Sequence, residues 1–208
     1  MTETPWMPWV RSLRAISQNG LHFARDPFDT ERYQQVREVA REILERHTSL
    51  TREDILRMDA ADQGYATPKV DVRGAVFQDD RILMVSESAD GGRWTLPGGW
   101  ADPNETPGTA VVREIQEESG FQTRVLKLVG VYDRDRQGLT PPYPFHIFKL
   151  FFICEITGGS AQTSVETGDV RFFAEDQWPE LAAGRVSPWL LRRCFEHHRH
   201  PEWPADFD

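Results

Sequence analysis

Three glutamates, Glu114, Glu117 and Glu118, fall within five residues of the sequence and could together bind a divalent cation. At about 100° of rotation per residue, a helix would place Glu117 and Glu118 within roughly 60° of Glu114, on one side. Like charges at these spacings destabilise an isolated helix by about 0.2–0.5 kcal/mol per pair, and a cation would remove that cost. Carboxylate oxygens and water suit Mg²⁺ or Mn²⁺, whereas zinc prefers the Cys and His ligands that this stretch lacks. For three glutamates alone, the alternative is a solvated acidic helix face.

The helix that would carry these glutamates has recognisable ends. Thr106 is a suitable N-cap, Pro107 suits the first helical position, and Gly120 is a natural stop. The apolar residues of the predicted helix fall on the adjoining side and are Val111, Val112 and Ile115. We therefore expect the helix to pack on a sheet and to present its carboxylates sideways.

The surrounding residues fit a longer pattern, G-x5-E-x7-R-E-U-x-E-E-x-G-U, in which U is a bulky apolar residue. Every fixed place is filled, by Gly99, Glu105, Arg113, Glu114, Ile115, Glu117, Glu118, Gly120 and Phe121. At average residue frequencies, a chance match in a chain of this length has odds of about one in ten million. The stretch resembles the Nudix box, and this resemblance favours the metal-binding interpretation of the glutamates.

The resemblance implies a metal-dependent hydrolysis. Nudix hydrolases cleave a nucleoside diphosphate that is linked to another group, X. By position, Glu117 and Glu118 would ligate Mg²⁺, Glu114 would be a further ligand or the general base, and the carbonyl of Gly98 would be another ligand. A water acidified by the cation and deprotonated by a glutamate would attack phosphorus in line, giving a nucleoside monophosphate and phospho-X.

Other positions of the motif imply supporting roles. Arg113 would orient the glutamates, Glu105 would brace the loop through the helix start, and Gly99 would let backbone carbonyls approach the cation. Many members of the family also use an acidic residue from a later loop. Glu166 is the best-placed candidate for that catalytic role, and Asp169 is the reserve.

Residues 1–67 are predicted to form a small helical domain. Apolar residues recur at helical spacing up to Gly20, which we expect to end the first helix. Asp29 or Thr30 could cap a second, amphipathic helix, and Thr51 begins a third. The apolar sides of these helices must pack on each other, on the rest of the chain or on a second subunit.

Residues 68–208 are predicted to form a mixed α/β domain. Pro68 disfavours helix in the residue before it and marks the boundary. Strand-like segments follow at residues 70–76, 82–85, 124–133, 146–156 and 169–173. A final helix is predicted to start at Ser187. Together with the Nudix resemblance, these elements predict an α/β/α sandwich with a mixed sheet.

Further segments resemble one Nudix subfamily, which carries an N-terminal helical domain. These segments are residues 21–44, 64–77, 92–102, 125–136 and 146–159. The best-known member type of this subfamily is bacterial CDP-choline pyrophosphatase. The resemblance implies hydrolysis of a CDP-choline type substrate by a homodimer, with ADP-ribose or a dinucleotide as the alternative substrate. A non-catalytic nucleotide sensor is a further alternative, although such modules often lose glutamates of the box and here none is missing.

Two residues near the motif are candidate substrate contacts. Arg73 could hold a phosphate, and a structural ion pair is the alternative, because arginine serves both purposes. Trp94 could stack on a base, and so could Trp100, but packing in or around the core is the more frequent use of such rings.

The composition limits the classes of partner. A net charge of −9, from 24 basic and 33 acidic residues, argues against broad binding of nucleic acid or anionic membranes. Cys154 and Cys194 lie in apolar runs, and we expect both to be buried thiols. Because the sequence has no apolar leader and no membrane-span pattern, a cytoplasmic protein that acts on a small nucleotide is expected.

Overall fold

The computed structural model describes residues 6–208, so that the first five residues of the predicted N-terminal domain lie outside the described residues. The chain divides into two compact units. The first comprises the described residues up to Pro68 together with Pro142–His146, and the second comprises Lys69–Pro141 and Ile147–Asp208.

The first unit is built from three helices, α1 (Trp6–Phe23), α2 (Pro27–His47) and α3 (Arg52–Ala61). Their shared core contains Met7, Val10, Ala40, Leu44 and Ile55. The predicted start of α3 is confirmed, because Thr51 and Asp54 form a capping box. The predicted cap of α2 is wrong: Asp26 accepts hydrogen bonds from two backbone amides of the first turn, and Pro27 follows it directly.

Gly20 does not end α1, contrary to the expectation from the sequence. The helix continues for three more residues to Phe23. A Cβ atom at Gly20 would lie 2.3 Å from Cδ1 of Tyr33 in α2. Gly20 is therefore a place where the two helices approach closely, and its lack of a side chain serves packing rather than termination.

Pro142–His146 belongs to the first unit because its backbone is hydrogen-bonded to α1. The guanidinium of Arg11 donates two hydrogen bonds to the carbonyl of Tyr143, at 2.9 and 2.6 Å. Arg14 donates to the carbonyl of Pro144 at 3.2 Å, and its guanidinium lies over the ring of Phe145.

The second unit contains a seven-stranded mixed sheet. Its strands are β1 (Lys69–Gln78), β2 (Arg81–Glu87), β3 (Arg93–Thr95), β4 (Phe121–Asp133), β5 (Ile147–Gly159), β6 (Thr167–Ala174) and β7 (Asp206–Phe207). The strand order is β3-β2-β1-β5-β4-β7, and β6 pairs with the other edge of β2. The pairs β1–β5 and β4–β7 are parallel, and the other pairs are antiparallel.

Two helices cover opposite faces of this sheet. α4 (Pro107–Ser119) contributes Ala110, Val111 and Ile115 to the core on one face. α5 (Pro188–Arg199) contributes Leu190, Leu191, Cys194 and Phe195 to the core on the other. The predicted α/β/α sandwich is thus confirmed. Both cysteines are buried free thiols, as expected, and no helix within residues 6–208 is long and apolar enough to cross a membrane.

Candidate active site

The loop that precedes α4 is hydrogen-bonded to β1 as if it were a further strand. β1 and β2 pair only at Phe77↔Ile82 and Gln78↔Arg81, and beyond this point they diverge. In the opened space, the carbonyls of Pro97 and Gly99 accept hydrogen bonds of 2.9 and 2.8 Å from the amides of Gly74 and Val72. Hydrogen bonds to the sheet therefore hold the loop on both sides of Gly98.

Gly98 lies at the centre of this loop in a conformation that only glycine adopts readily. Its φ is +143°, and a Cβ atom there would lie 2.0 Å from the carbonyl oxygen of Val72. Its amide donates a 2.8 Å hydrogen bond to the carboxylate of Glu118. The loop and the acidic helix thus meet through one backbone group.

The helix α4 has the ends that the sequence predicted. Thr106 accepts a hydrogen bond from the amide of Thr109, and Gly120 ends the helix with a φ of +77°. Its apolar side packs on β1, where a Cβ at Gly74 would lie 2.4 Å from Cδ1 of Ile115. This close packing brings the acidic side of α4 against the loop.

Arg113 links three of the acidic residues of the motif. Its guanidinium binds both carboxylate oxygens of Glu105, at 2.8 and 2.9 Å, in the paired geometry that arginine favours. The same guanidinium donates to Glu114 at 2.8 Å and to Glu117 at 3.1 Å. The hydrogen bond from Arg113 lowers the pKa of Glu105. In turn, the hydrogen bonds to the three glutamates raise the pKa of Arg113, and the bond to Glu105 has the largest effect.

The three clustered glutamates differ in their exposure to water. Glu118 is 5% exposed, Glu114 is partly buried, and the side chain of Glu117 is 59% exposed. Burial raises the pKa of Glu118 to about 7 and also raises that of Glu114. Among residues 6–208, no three acidic, His or Cys side chains already converge as a ligand set for a metal. The site instead contains the buried carboxylate of Glu118, the partly buried one of Glu114 and the exposed one of Glu117.

Arg73 lies next to this site but is itself buried in an ion pair. It is 2% exposed, binds both carboxylate oxygens of Asp71 at 3.0 and 2.8 Å, and donates to the carbonyl of Leu96. The buried amine of Lys149 approaches the same Asp71 carboxylate at 2.5 Å. The structure therefore contains the structural ion pair that was the alternative to a phosphate contact.

The two tryptophans occupy different surroundings. Trp94 packs against the core on the α5 side of the sheet, with its ring edge-to-face with Phe173 at 4.9 Å. This is the face opposite α4, so the structure does not bring Trp94 together with the glutamates. Trp100 follows the glycine loop and is 44% exposed.

Glu166 is exposed in the turn that precedes β6. Its carbonyl accepts a 2.9 Å hydrogen bond from the amide of Ser88, and the adjacent Thr167 hydroxyl donates to the carbonyl of Glu118 at 2.8 Å. The turn thus lies beside the end of α4. Asp169 is paired with Arg171 at 2.5 Å.

Three charged residues around the site were not singled out from the sequence: Glu87, Lys149 and Arg185. Glu87 ends β2 and is 3% exposed, with its Oε2 atom 3.2 Å from Arg185. Lys149 interrupts the apolar run of β5, and a lysine in such a run is a signal that could have been used. Glu87 and Arg185 have no such local signal.

Comparison with protein-family models matches both parts of the chain. Residues 67–192 match the model of the NUDIX domain, and residues 4–58 match that of a UDP-X-like, N-terminal oligomerisation domain. The chain therefore belongs to the Nudix hydrolase family, in the group that carries this N-terminal domain.

Two of the individual relatives cover nearly the whole chain, and a third covers about two thirds of it. The chain is 38% identical over 206 residues to the "Putative ADP-ribose pyrophosphatase YjhB" of Bacillus subtilis (strain 168), covering 99% of this chain and 98% of the relative. Among solved structures, a UDP-X diphosphatase shares 30% identity with a TM-score of 0.62, and each chain is covered completely. An ADP-ribose pyrophosphatase from Streptococcus suis 89-1591 shares 36% identity and a TM-score of 0.62, over 68% of this chain and 100% of that one.

Proposed function

We propose that this Nudix hydrolase is a divalent-cation-dependent pyrophosphatase that cleaves a nucleoside diphosphate linked to X into a nucleoside monophosphate and phospho-X. The observation that carries the proposal is the contact between the loop and the acidic helix, in which the Gly98 amide binds Glu118 at 2.8 Å. This contact brings the glycine loop against the helix that carries Glu114, Glu117 and Glu118.

The donor set fits a cation such as Mg²⁺ or Mn²⁺. All candidate ligands are oxygens: the carboxylates of Glu114, Glu117 and Glu118 and the carbonyl of Gly98. Gly99 supports the fit, because a Cβ atom there would lie only 2.9 Å from the Glu114 carboxylate. A glycine at this position leaves room between the loop and that carboxylate. When bound, the cation would neutralise the pyrophosphate and polarise the phosphoryl group.

The residues of the chain divide the remaining work. Glu114 or Glu166 would accept the proton of the attacking water at a carboxylate oxygen. Arg113 would hold Glu114 and Glu117 in place, since it donates to both. Glu105 would anchor Arg113 from the start of the helix, through both of its oxygens.

Glutamine substitutions test these assignments. We expect Glu117→Gln and Glu118→Gln each to abolish most turnover with Mg²⁺, and Glu53→Gln, an exposed change in α3 with the same charge difference, to leave it intact. Comparing Glu114→Gln with Glu166→Gln identifies the base, because only loss of the base should remove the acidic limb of the pH profile of kcat, on which the rate rises as the base loses its proton. Full turnover by Glu117→Gln and Glu118→Gln would exclude the proposal.

ADP-ribose is the first substrate to test, because two of the relatives described above bear names for that activity. CDP-choline, which the subfamily resemblance predicts, and UDP-linked compounds, which the name of a solved relative suggests, complete the panel. Phosphate released after a phosphatase is added reports cleavage in each case. A non-catalytic nucleotide sensor would bind members of the panel and release no phosphate.

We also propose that the helical unit forms a homodimer. Trp9, Ile16 and Phe23 are spaced seven residues apart in α1, so they lie on one side of the helix, and all three are more than half exposed. Such a row of apolar side chains favours burial against another chain. Light scattering should give twice the monomer mass, and Ile16→Glu should lower it, whereas a monomeric wild type would contradict the dimer. A cytoplasmic location stays a prediction from the sequence.

A further inference from the structure

Glu87 lies on the same side of the sheet as the acidic helix. The register of the β2–β6 pair shifts between Ser86 and Glu87, but β2 pairs with β3 without a break from Val85 to Glu87. Side chains alternate along such a strand, so Leu83, Val85 and Glu87 point to one face. Leu83 belongs to the core that α4 covers, together with Val111 and Ile115. The carboxylate of Glu87 therefore points towards the α4 face, at the end of β2 and outside the Nudix motif.

The pairing of β2 with β6 brings Glu87 to the end of α4. Glu87 lies opposite Thr167, and the Thr167 hydroxyl donates to the carbonyl of Glu118. The carboxylate of Glu118 is repelled electrostatically by those of Glu87 and Glu114 and attracted by Arg73. The charges of Glu87 and Glu114 thus both act on the buried Glu118, while Arg73 is already bound to Asp71.

One oxygen of Glu87 has no hydrogen-bond partner among the described residues. Its Oε2 atom lies 3.2 Å from Arg185, but its Oε1 atom is buried and unpartnered. The hydroxyl of Thr95, whose residue lies opposite Val85 and so on the same face, is also buried without a partner. A buried carboxylate oxygen is costly unless a donor or a cation satisfies it.

We propose that Glu87 supplies a carboxylate oxygen from β2 to the divalent cation bound by Glu114 and Glu118. This inference rests on the proposed function, because it assigns a further ligand to the same site. Arg185 approaches only the other oxygen of Glu87, at 3.2 Å, and so leaves Oε1 available to a cation. The site then combines ligands from the loop, from α4 and from a strand that the motif does not include.

Cation binding without substrate tests the assignment directly. Mn²⁺ is titrated into the full chain in the absence of nucleotide, and free Mn²⁺ is followed by electron paramagnetic resonance. We expect Glu87→Gln to weaken Mn²⁺ binding about tenfold or more, as loss of groups around a metal commonly does. Arg185→Met, which leaves the carboxylate in place, and the exposed change Glu53→Gln should bind Mn²⁺ as tightly as the wild type.

Thermal unfolding of the cation-free protein separates this role from a structural one. Glu87→Gln should leave the melting temperature unchanged or raise it, because the substitution removes repulsion with Glu118. Should Glu87→Gln fail to fold, Glu87→Asp is the substitute. It keeps the negative charge, but its shorter side chain moves the carboxylate oxygens away from the cation, so it should also weaken Mn²⁺ binding.

Two results would overturn the inference while leaving the proposed function intact. The first is Mn²⁺ binding by Glu87→Gln, or by Glu87→Asp in its place, at wild-type strength while Glu118→Gln loses it. The second is an equal loss in Arg185→Met, which would make the ion pair the important element. If the wild type binds no Mn²⁺ at all, the proposed function itself fails.

Discussion

The backbone amide of Gly98 donates a hydrogen bond to the carboxylate of Glu118, 20 residues later in the chain. This hydrogen bond closes the loop of the Nudix motif on its helix. It also depends on the absence of a side chain at Gly98, whose Cβ atom would collide with the carbonyl of Val72.

Gly98→Ala should therefore damage both folding and activity. The substitution combines an unfavourable φ with a backbone clash, and we expect a loss of about 1–3 kcal/mol in the free energy of unfolding, with most of the turnover lost. Urea unfolding and a kinetic assay measure the two effects. Gly108→Ala in α4 is the matched control, because its Cβ would make an ordinary contact of 3.8 Å. Equal behaviour of the two variants would contradict the role of Gly98.

Arg113→Lys should lower activity although it keeps the positive charge. Lysine cannot bind both oxygens of Glu105 and still donate to Glu114 and Glu117, so the carboxylates lose their fixed positions. We expect kcat/KM to fall about 10–100-fold, with a higher concentration of Mg²⁺ needed for half-maximal rate. Arg32→Lys, in an exposed ion pair of α2, should change neither value. An unchanged Mg²⁺ requirement in Arg113→Lys would count against this role of Arg113.

The raised pKa of Glu118 predicts a dependence on pH in the cation-free protein. Burial raises this pKa from 4.5 to about 7, so the folded state binds the proton more tightly than the unfolded state. The associated stability is present below pH 4.5 and is lost as the pH rises through 7, by about 2–4 kcal/mol. Urea unfolding in EDTA should show wild type losing stability relative to Glu118→Gln between pH 5 and pH 8. Parallel curves for the two proteins would argue against the shift.

The buried ion pair beside the site should respond unequally to removal of its members. Asp71→Asn would leave the buried guanidinium of Arg73 without its ion-pair partner, and should cost about 3–5 kcal/mol in the free energy of unfolding. Lys149→Met should cost about 1 kcal/mol or less, because Arg73 still binds Asp71 and because burial already lowers the pKa of Lys149 to about 7. Urea unfolding of both variants measures the difference. A cost for Lys149→Met as large as that for Asp71→Asn would show that Lys149 is an essential partner.

The local elements of the site were predictable because their signals are short in range. Thr106, Pro107 and Gly120 act on backbone groups within one helical turn, and α4 begins and ends where they predict. Asp54 and Thr51 likewise fix the start of α3. The cap of α2 was misassigned because several residues that can accept amide hydrogens lie close together before that helix.

The surroundings of the site were not predictable because they depend on pairings across long stretches of chain. Glu87 becomes buried only when β2 pairs with β6 at Thr167, and no local period in the sequence marks that pairing. A glycine such as Gly20 can end a helix or leave room for a neighbouring ring, here that of Tyr33, and the local sequence does not distinguish the two roles. Arg73 could be assigned to a phosphate or to an ion pair until the structure showed it buried, bound to Asp71 and donating to the carbonyl of Leu96.

The hydrogen bonds from β1 to the carbonyls of Pro97 and Gly99 have a consequence for the evolution of substrate specificity. These hydrogen bonds hold the loop that carries Gly98 in place against the central sheet. A substitution that displaced this loop would therefore also disturb β1. We therefore expect preference for one X over another to diversify in segments that are not hydrogen-bonded to the sheet.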